Sequence, residues 1–267
     1  MQIRIGLIVP ILLLASNANA TATLVNLGSA DPFAVLGGST VTNTGPTSVD
    51  GNLGVWPGTA ITGFPPGLVI NGTIHAGDAV AMAAHNSLGA AIVAASGQAC
   101  GGVLTGQDLG GMTLTPGVYC FSSSAQLTGI LSLDALGDPN AVFLFQIGST
   151  LTTASASSVI LFGPGVGNNV FWQVGSSATL GTTTAFAGNI LATTSITLNT
   201  GASIQCGRAL ALNGAVTLDS NVVGINSTGC QPSPGGGGVP EPAEWLLLGI
   251  GFATVGHIVR RRRRAFA

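Results

Sequence analysis

The sequence predicts a mostly β protein: a three-faced β-helix with one long α-helix packed alongside. Three observations predict it. Short apolar runs alternate with glycine turns along most of the chain, which holds 41 glycines among 267 residues. Leu180, Leu198 and Leu218 recur 18 and 20 residues apart, in Ala-Thr-Leu, Ile-Thr-Leu and Val-Thr-Leu contexts. A coil of that length fits three short strands and three turns, the rung of a solenoid. One alanine-rich segment, residues 78–96, breaks the strand pattern and supplies the helix. A β-sandwich with glycine turns is the alternative on these grounds.

The elements follow in chain order. Residues 1–20 read as a secretory signal, with Arg4, an apolar core over 5–15 and a small-x-small end at Ala18-Asn-Ala20. The body is expected over residues 21–230. Its helix carries Met82, Leu88, Ile92 and Val93 at helical spacings, begins at Asp78 and stops at Gly97. Strands are expected at 141–147, 159–162, 169–174, 179–180, 196–198 and 215–218. Residues 231–239 form a Gly/Pro-rich linker.

The last 28 residues, 240–267, differ from the rest. Pro240-Glu241-Pro242 precedes an apolar stretch over 245–259, which Arg260, Arg261, Arg262, Arg263 and Arg264 close. As helix that stretch reaches about 22 Å, against about 30 Å of hydrocarbon. Snorkelling arginines and Trp245 extend its reach, and the arginines are expected on the cytoplasmic side. The three parts, in this order, resemble the PEP-CTERM sorting signal. That resemblance implies an exosortase as processing partner, a membrane-anchored precursor and final display at the cell surface or release.

Charge is scarce. Seven basic and nine acidic residues serve the whole chain, and lysine is absent. Outside the two ends the body holds seven aspartates and a single arginine, Arg208. Nucleic-acid binding is excluded, because phosphates need a basic face. Four cysteines in an exported chain point to disulfides, which could join in three ways. Cys100–Cys120 with Cys206–Cys230 is the preferred pairing. No metal site or cofactor is expected, since no CxxC spacing occurs and His75 and His85 stand apart. No serine elbow accompanies those histidines, and Asp134 and Asp138 read as turn residues, so no enzyme activity is expected.

Over about residues 25–225 the chain resembles the bacterial ice-binding-protein-like family. The resemblance is carried by Ala34-Val-Leu-Gly-Gly-Ser-Thr-Val-Thr-Asn-Thr-Gly45, Gly51-Asn-Leu-Gly54, the 78–96 helix, Leu114-Thr-Pro-Gly-Val-Tyr119, Val142-Phe-Leu-Phe-Gln-Ile147, Asn169-Val-Phe-Trp-Gln-Val-Gly175, Phe186-Ala-Gly-Asn-Ile-Leu-Ala192 and Gly207-Arg-Ala-Leu-Ala211. It implies a right-handed, discontinuous β-helix, in which residues 34–53 return to pack on the C-terminal coils.

An ice-binding face needs regularly spaced hydroxyl and methyl groups and few charges, because a charge orders its own hydration. Threonine carries both groups on a stiff β-branched side chain. The candidates are the Thr-x-Thr pairs Thr40, Thr42 and Thr44; Thr113 and Thr115; Thr150 and Thr152; and Thr182 and Thr184. β-Strands favour threonine in any case, and these pairs do not recur in every coil at one register. The competing reading is a structural or adhesive cell-surface protein associated with exopolysaccharide. An aromatic-lined groove, with Trp56 or Tyr119 exposed, would favour that reading.

Overall fold

The structure is a computed structural model and describes residues 21–163 and 167–225. The secretory signal, the linker, the sorting signal with its apolar helix, and Cys230 lie outside these residues. All strand pairing is parallel and falls into a 15-stranded and a 7-stranded sheet. The expected strands appear as Phe143–Ile147, Ser158–Phe162, Val170–Val174, Ala178–Leu180, Ile196–Leu198 and Val216–Asp219.

Each coil visits three faces. The first is covered by the helix. It contains Gly117–Phe121, Phe143–Ile147, Val170–Val174, Phe33–Gly37 and Asn52–Val55. The second face is the 7-stranded sheet. The third contains Ile130–Asp134, Ser158–Phe162, Val222–Gly224, Ser48–Asp50 and Leu68–Ile70. First and third faces share one hydrogen-bonded sheet because Ala185–Ala192 and Ser203–Ala211 bend around the ridge between them. Glycine makes that bend possible. Gly188 has φ +106°, and a Cβ on Gly207 would lie 1.9 Å from the Gly188 carbonyl oxygen.

The chain is discontinuous along the stack, as the family resemblance implied. Val35 pairs with Ala209, Val41 with Val216, and Ser48 with Val222. The first coils therefore rest on the last one. The helix carries the chain from that end of the stack to the other, where Gly102–Val103 pairs with Gly117–Phe121.

Strand alternation fills the interior with apolar side chains, as with Phe143, Phe145 and Ile147 from one strand and Ile196 and Leu198 from another. Its centre is an aromatic column. Tyr119 stacks on Phe145, Phe145 lies 3.9 Å from Trp172 at 7°, and Trp172 tilts against Phe186. The Trp172 Nε1–H donates to the Ala187 carbonyl. A polar column runs inside the corner between second and third faces. There Thr47, Asn221, Thr184, Ser157 and Thr153 are buried and hydrogen-bonded.

The helix spans Ala79–Ser96, and the Asp78 carboxylate caps it by accepting from the Ala81 N–H. Its buried stripe is Ala84, Leu88, Ala91, Ile92 and Ala95, packed on Leu36, Leu210, Leu191, Phe171, Leu144 and Val118. Met82 and Val93 point outward instead, Val93 being 70% exposed. Alanines bring the helix close to the sheet, and the bulk in this contact comes from the sheet side. At the far end the Gln146 amide donates to the Ala95 and Gln98 carbonyls, and Cys100 is bonded to Cys120. The other expected pair includes Cys230 and so reaches beyond the described residues.

Candidate functional site

The 7-stranded sheet is ordered Ala125–Leu127, Leu151–Thr153, Ala178–Leu180, Ile196–Leu198, Val216–Asp219, Thr40–Thr44, Ala60–Thr62. In each strand an apolar residue points inward and its neighbour outward. The register places the outward neighbours in one line: Gln126, Thr152, Thr179, Thr197, Thr217, Thr42, Thr62. Six successive threonines thus form a ladder. Strand spacing sets their separation at about 4.8 Å. The Thr42 and Thr217 hydroxyl oxygens are 3.5 Å apart.

A second outward line lies two residues earlier in each strand, about 6.6 Å along the chain. It reads Ser124, Thr150, Ser177, Ser195, Ala215, Thr40, Ala60. The Thr150 hydroxyl donates to the Ser124 hydroxyl at 2.8 Å. Together the two lines make a grid of hydroxyl and methyl groups on a backbone held by parallel ladders. Neither line contains a charge. Asp219 stands at one margin, where it accepts from the Ser220 and Thr200 hydroxyls and pairs in register with Thr44. Asp108 stands at one end, bridged to Gln126. Burial pushes the Asp108 carboxyl up, but hydrogen bonds from Thr128 and Gly110 outweigh it and leave the group below the usual carboxylate range.

The structure sorts the expected threonines. Thr40, Thr42, Thr44, Thr150 and Thr152 share this sheet and face outward. Thr113 lies on the third face beside Ser132. Thr115 sits past the strand end, where its carbonyl accepts from the Tyr119 hydroxyl. Thr182 occupies the corner turn. Thr184 is fully buried in the internal polar column, its hydroxyl bonded to that of Thr153, so it presents nothing to a surface. The left-handed residue between them, Thr183 at φ +56°, swings the chain inward at that corner. Thr62, Thr179, Thr197 and Thr217 complete the ladder and were not among the Thr-x-Thr pairs. Their signal was present: three are the middle residues of the triplets whose leucines marked the coil period. If each leucine points inward, strand alternation puts its threonine outside.

The third face differs. Ile130, Ile160, Phe162, Val222, Leu68 and Ile70 are exposed on it and alternate with Ser158, Ser132, Asp134, Ser48 and Asp50. The body's one arginine is not at either open face. Arg208 is 5% exposed and donates to the Asn189 side chain, the Asp31 carbonyl and the Asp31 carboxylate. Burial lowers its pKa and Asp31 opposes that shift. The two histidines among the described residues are tied to the helix mounting: His75 to Asp78 at 2.8 Å, His85 to the Leu212 carbonyl at 2.7 Å. Trp56 is half-buried, and Tyr119 closes the internal aromatic column instead of lining a groove. Among the described residues no cluster of His, Cys, Asp or Glu could hold a metal ion.

Comparison with known proteins agrees with this geometry. The family model described as Ice-binding-like matches residues 35–224. An ice-binding protein of Nostoc sp. (strain HG1) is 57% identical over 245 residues, covering 91% of this chain and 89% of that protein. One from Flavobacterium frigoris (strain PS1) is 33% identical over 223 residues, 79% of each chain. The crystal structure of an ice-binding protein from an Antarctic Biological Consortium superposes with a TM-score of 0.74 at 45% identity, covering 81% of this chain and 95% of that one. This chain belongs to the ice-binding-like family.

Proposed function

We propose that the protein binds ice through the 7-stranded sheet, without catalysis, and so inhibits recrystallisation or adheres to ice. The observation that carries this reading is the unbroken column from Thr152 to Thr62, repeated once per coil. Rigid β-branched side chains keep each hydroxyl and methyl in one rotamer. Water over such a surface meets a fixed two-dimensional repeat and no charge, so it can adopt a lattice-like arrangement at little entropic cost. The five candidates Thr40, Thr42, Thr44, Thr150 and Thr152 belong to this surface, joined by Thr62, Thr179, Thr197 and Thr217.

The same reading takes residues 1–20 as the export signal and 240–267 as a segment handled by an exosortase at the membrane. It also joins Cys206 to Cys230. An exported, charge-poor solenoid with hydroxyl-rich faces suits an extracellular surface. Thermal hysteresis and recrystallisation inhibition test the central claim. Thr197→Tyr inserts a bulky ring in the middle of the ladder and is expected to remove most of both activities while the far-UV CD and melting curve stay put. Full activity in that variant, or none in the unaltered protein, overturns the assignment.

A further inference from the structure

The sequence holds two Asn-Gly dipeptides, Asn71-Gly72 and Asn213-Gly214. A glycine after asparagine leaves the next backbone nitrogen unshielded by a side chain. That nitrogen can attack the asparagine amide carbon and close a five-membered ring. Within a folded chain the reaction needs a free N–H and an asparagine side chain able to swing over it. The two sites differ in both respects.

Asn213-Gly214 is tied down. The Gly214 N–H donates to the Thr194 carbonyl at 2.8 Å, and the Gly214 carbonyl accepts from Gly38 and Ser39. The Asn213 side-chain amide donates to the Thr193 carbonyl at 2.9 Å. Asn71-Gly72 stands instead at the open end of the stack. It follows Leu68–Ile70, an edge strand paired only with Ser48–Asp50. Both residues are exposed, and the Gly72 N–H meets no acceptor among the described residues. One solvent-exposed bond, 2.9 Å to the Asp50 carboxylate, holds the Asn71 amide. The fold itself calls for this pair. A Cβ on Gly72 would lie 2.2 Å from the Gly51 carbonyl oxygen, and Asn71 has φ +51°, where asparagine is among the few side chains tolerated.

We propose that Asn71 is a site of spontaneous deamidation, whereas Asn213 is protected by its hydrogen bonds. The Gly72 nitrogen bonds to Asn71 Cγ and gives its proton to solvent. The Cγ–Nδ2 bond breaks, and the nitrogen takes a proton from water and leaves as ammonia. Water then adds to either carbonyl of the succinimide and reopens it as aspartate or isoaspartate. Each product carries a carboxylate where an amide had donated to Asp50. Two like charges then face each other, and the edge strand loses the tie at its end. The change falls in the coil of Thr62, so the rest of the threonine ladder is untouched.

The test ages the full-length chain in mildly alkaline buffer and follows the peptides around positions 71 and 213 by mass spectrometry. Pepsin at acid pH is the protease, because the body has one arginine and no lysine for trypsin. Isoaspartate is read by enzymatic methylation. Conversion at Asn71 is expected to outrun that at Asn213 by roughly tenfold or more, since two hydrogen bonds must open first at the latter. In urea the two sites should convert at similar rates. Asn71→Gln, which would have to close a larger ring, should silence the site. Asn71→Asp should speed hydrogen exchange over Leu68–Ile70. Equal or slower conversion at Asn71 in the folded chain overturns the proposal. A difference that persists in urea overturns the assignment of protection to the fold. Unchanged exchange in Asn71→Asp overturns the loosening of the edge strand.

Discussion

The second and third faces are built by the same coils from the same parallel backbone, yet only one is uniform outside. On the second face the outward residue of the central position is threonine in six consecutive strands. On the third it alternates among isoleucine, serine, alanine and valine. The backbone therefore provides the spacing on both faces, and a single side chain per coil decides whether that spacing becomes a chemical repeat. Solenoid geometry alone does not make an ice-binding surface.

The sharpest way to break this comparison is to place the same ring on each face. Thr179→Tyr is expected to abolish recrystallisation inhibition, whereas Ile160→Tyr should leave it intact, with both variants melting like the parent. Equal losses in an ice-recrystallisation assay would erase the distinction.

Stability should depend on groups remote from the ladder. Arg208→Met strands the buried Asn189 side-chain oxygen and removes the bonds to the Asp31 carbonyl, at a cost of about 2 kcal/mol. Asp31 is itself mostly exposed and recovers its hydration, which keeps the loss from being larger. Urea denaturation reads the effect, and hysteresis per folded molecule should not change.

Inner and outer threonines offer a finer contrast. Thr184→Val breaks the internal bond to Thr153 and should cost about 1–2 kcal/mol with ice activity retained. Thr197→Val should change stability by less than about 0.5 kcal/mol and lower hysteresis in part, because the methyl groups remain and one hydroxyl is lost. A reversed pattern would mean that the ladder is structural.

The smallest effect concerns the helix cap. The Ala81 N–H and then His75 hold the Asp78 carboxyl below its ordinary value. The folded-state pKa is thus depressed, so its stabilisation is present above the usual carboxylate range and fades as pH falls through the lowered value. Melting temperatures between neutral and strongly acidic pH should drop less in Asp78→Asn than in the parent. Identical slopes would show that the cap does not couple to pH.

Much of this was legible before the structure. The leucine triplets disclosed the coil, Asp78 and Gly97 bounded the helix, and the alanine-rich stretch showed where strands stop. The ladder was harder to see, for physical reasons. Thr-x-Thr marks two outward positions within one strand, whereas a ladder needs one position across many strands. That cross-strand register depends on corner lengths, which vary from coil to coil. Thr42 and Thr62 cannot be aligned with Thr217 by counting at all, since they reach their places from the opposite end of the chain. The outward turn of Val93 was equally hidden, because an alanine-rich helix is apolar on every side.

That reversal of order along the stack has a further consequence, for folding. Val35 and Ala209 are neighbours although 174 residues separate them, so the first coils have nothing to stack on until the last has been made. Contacts this distant in sequence form late and slowly. During synthesis the N-terminal quarter stays open while the rest emerges, and the stack closes only when residues 203–224 are in hand. For a chain made from its N-terminus, a fold whose completion waits for its final coil is a fold that does not lock prematurely.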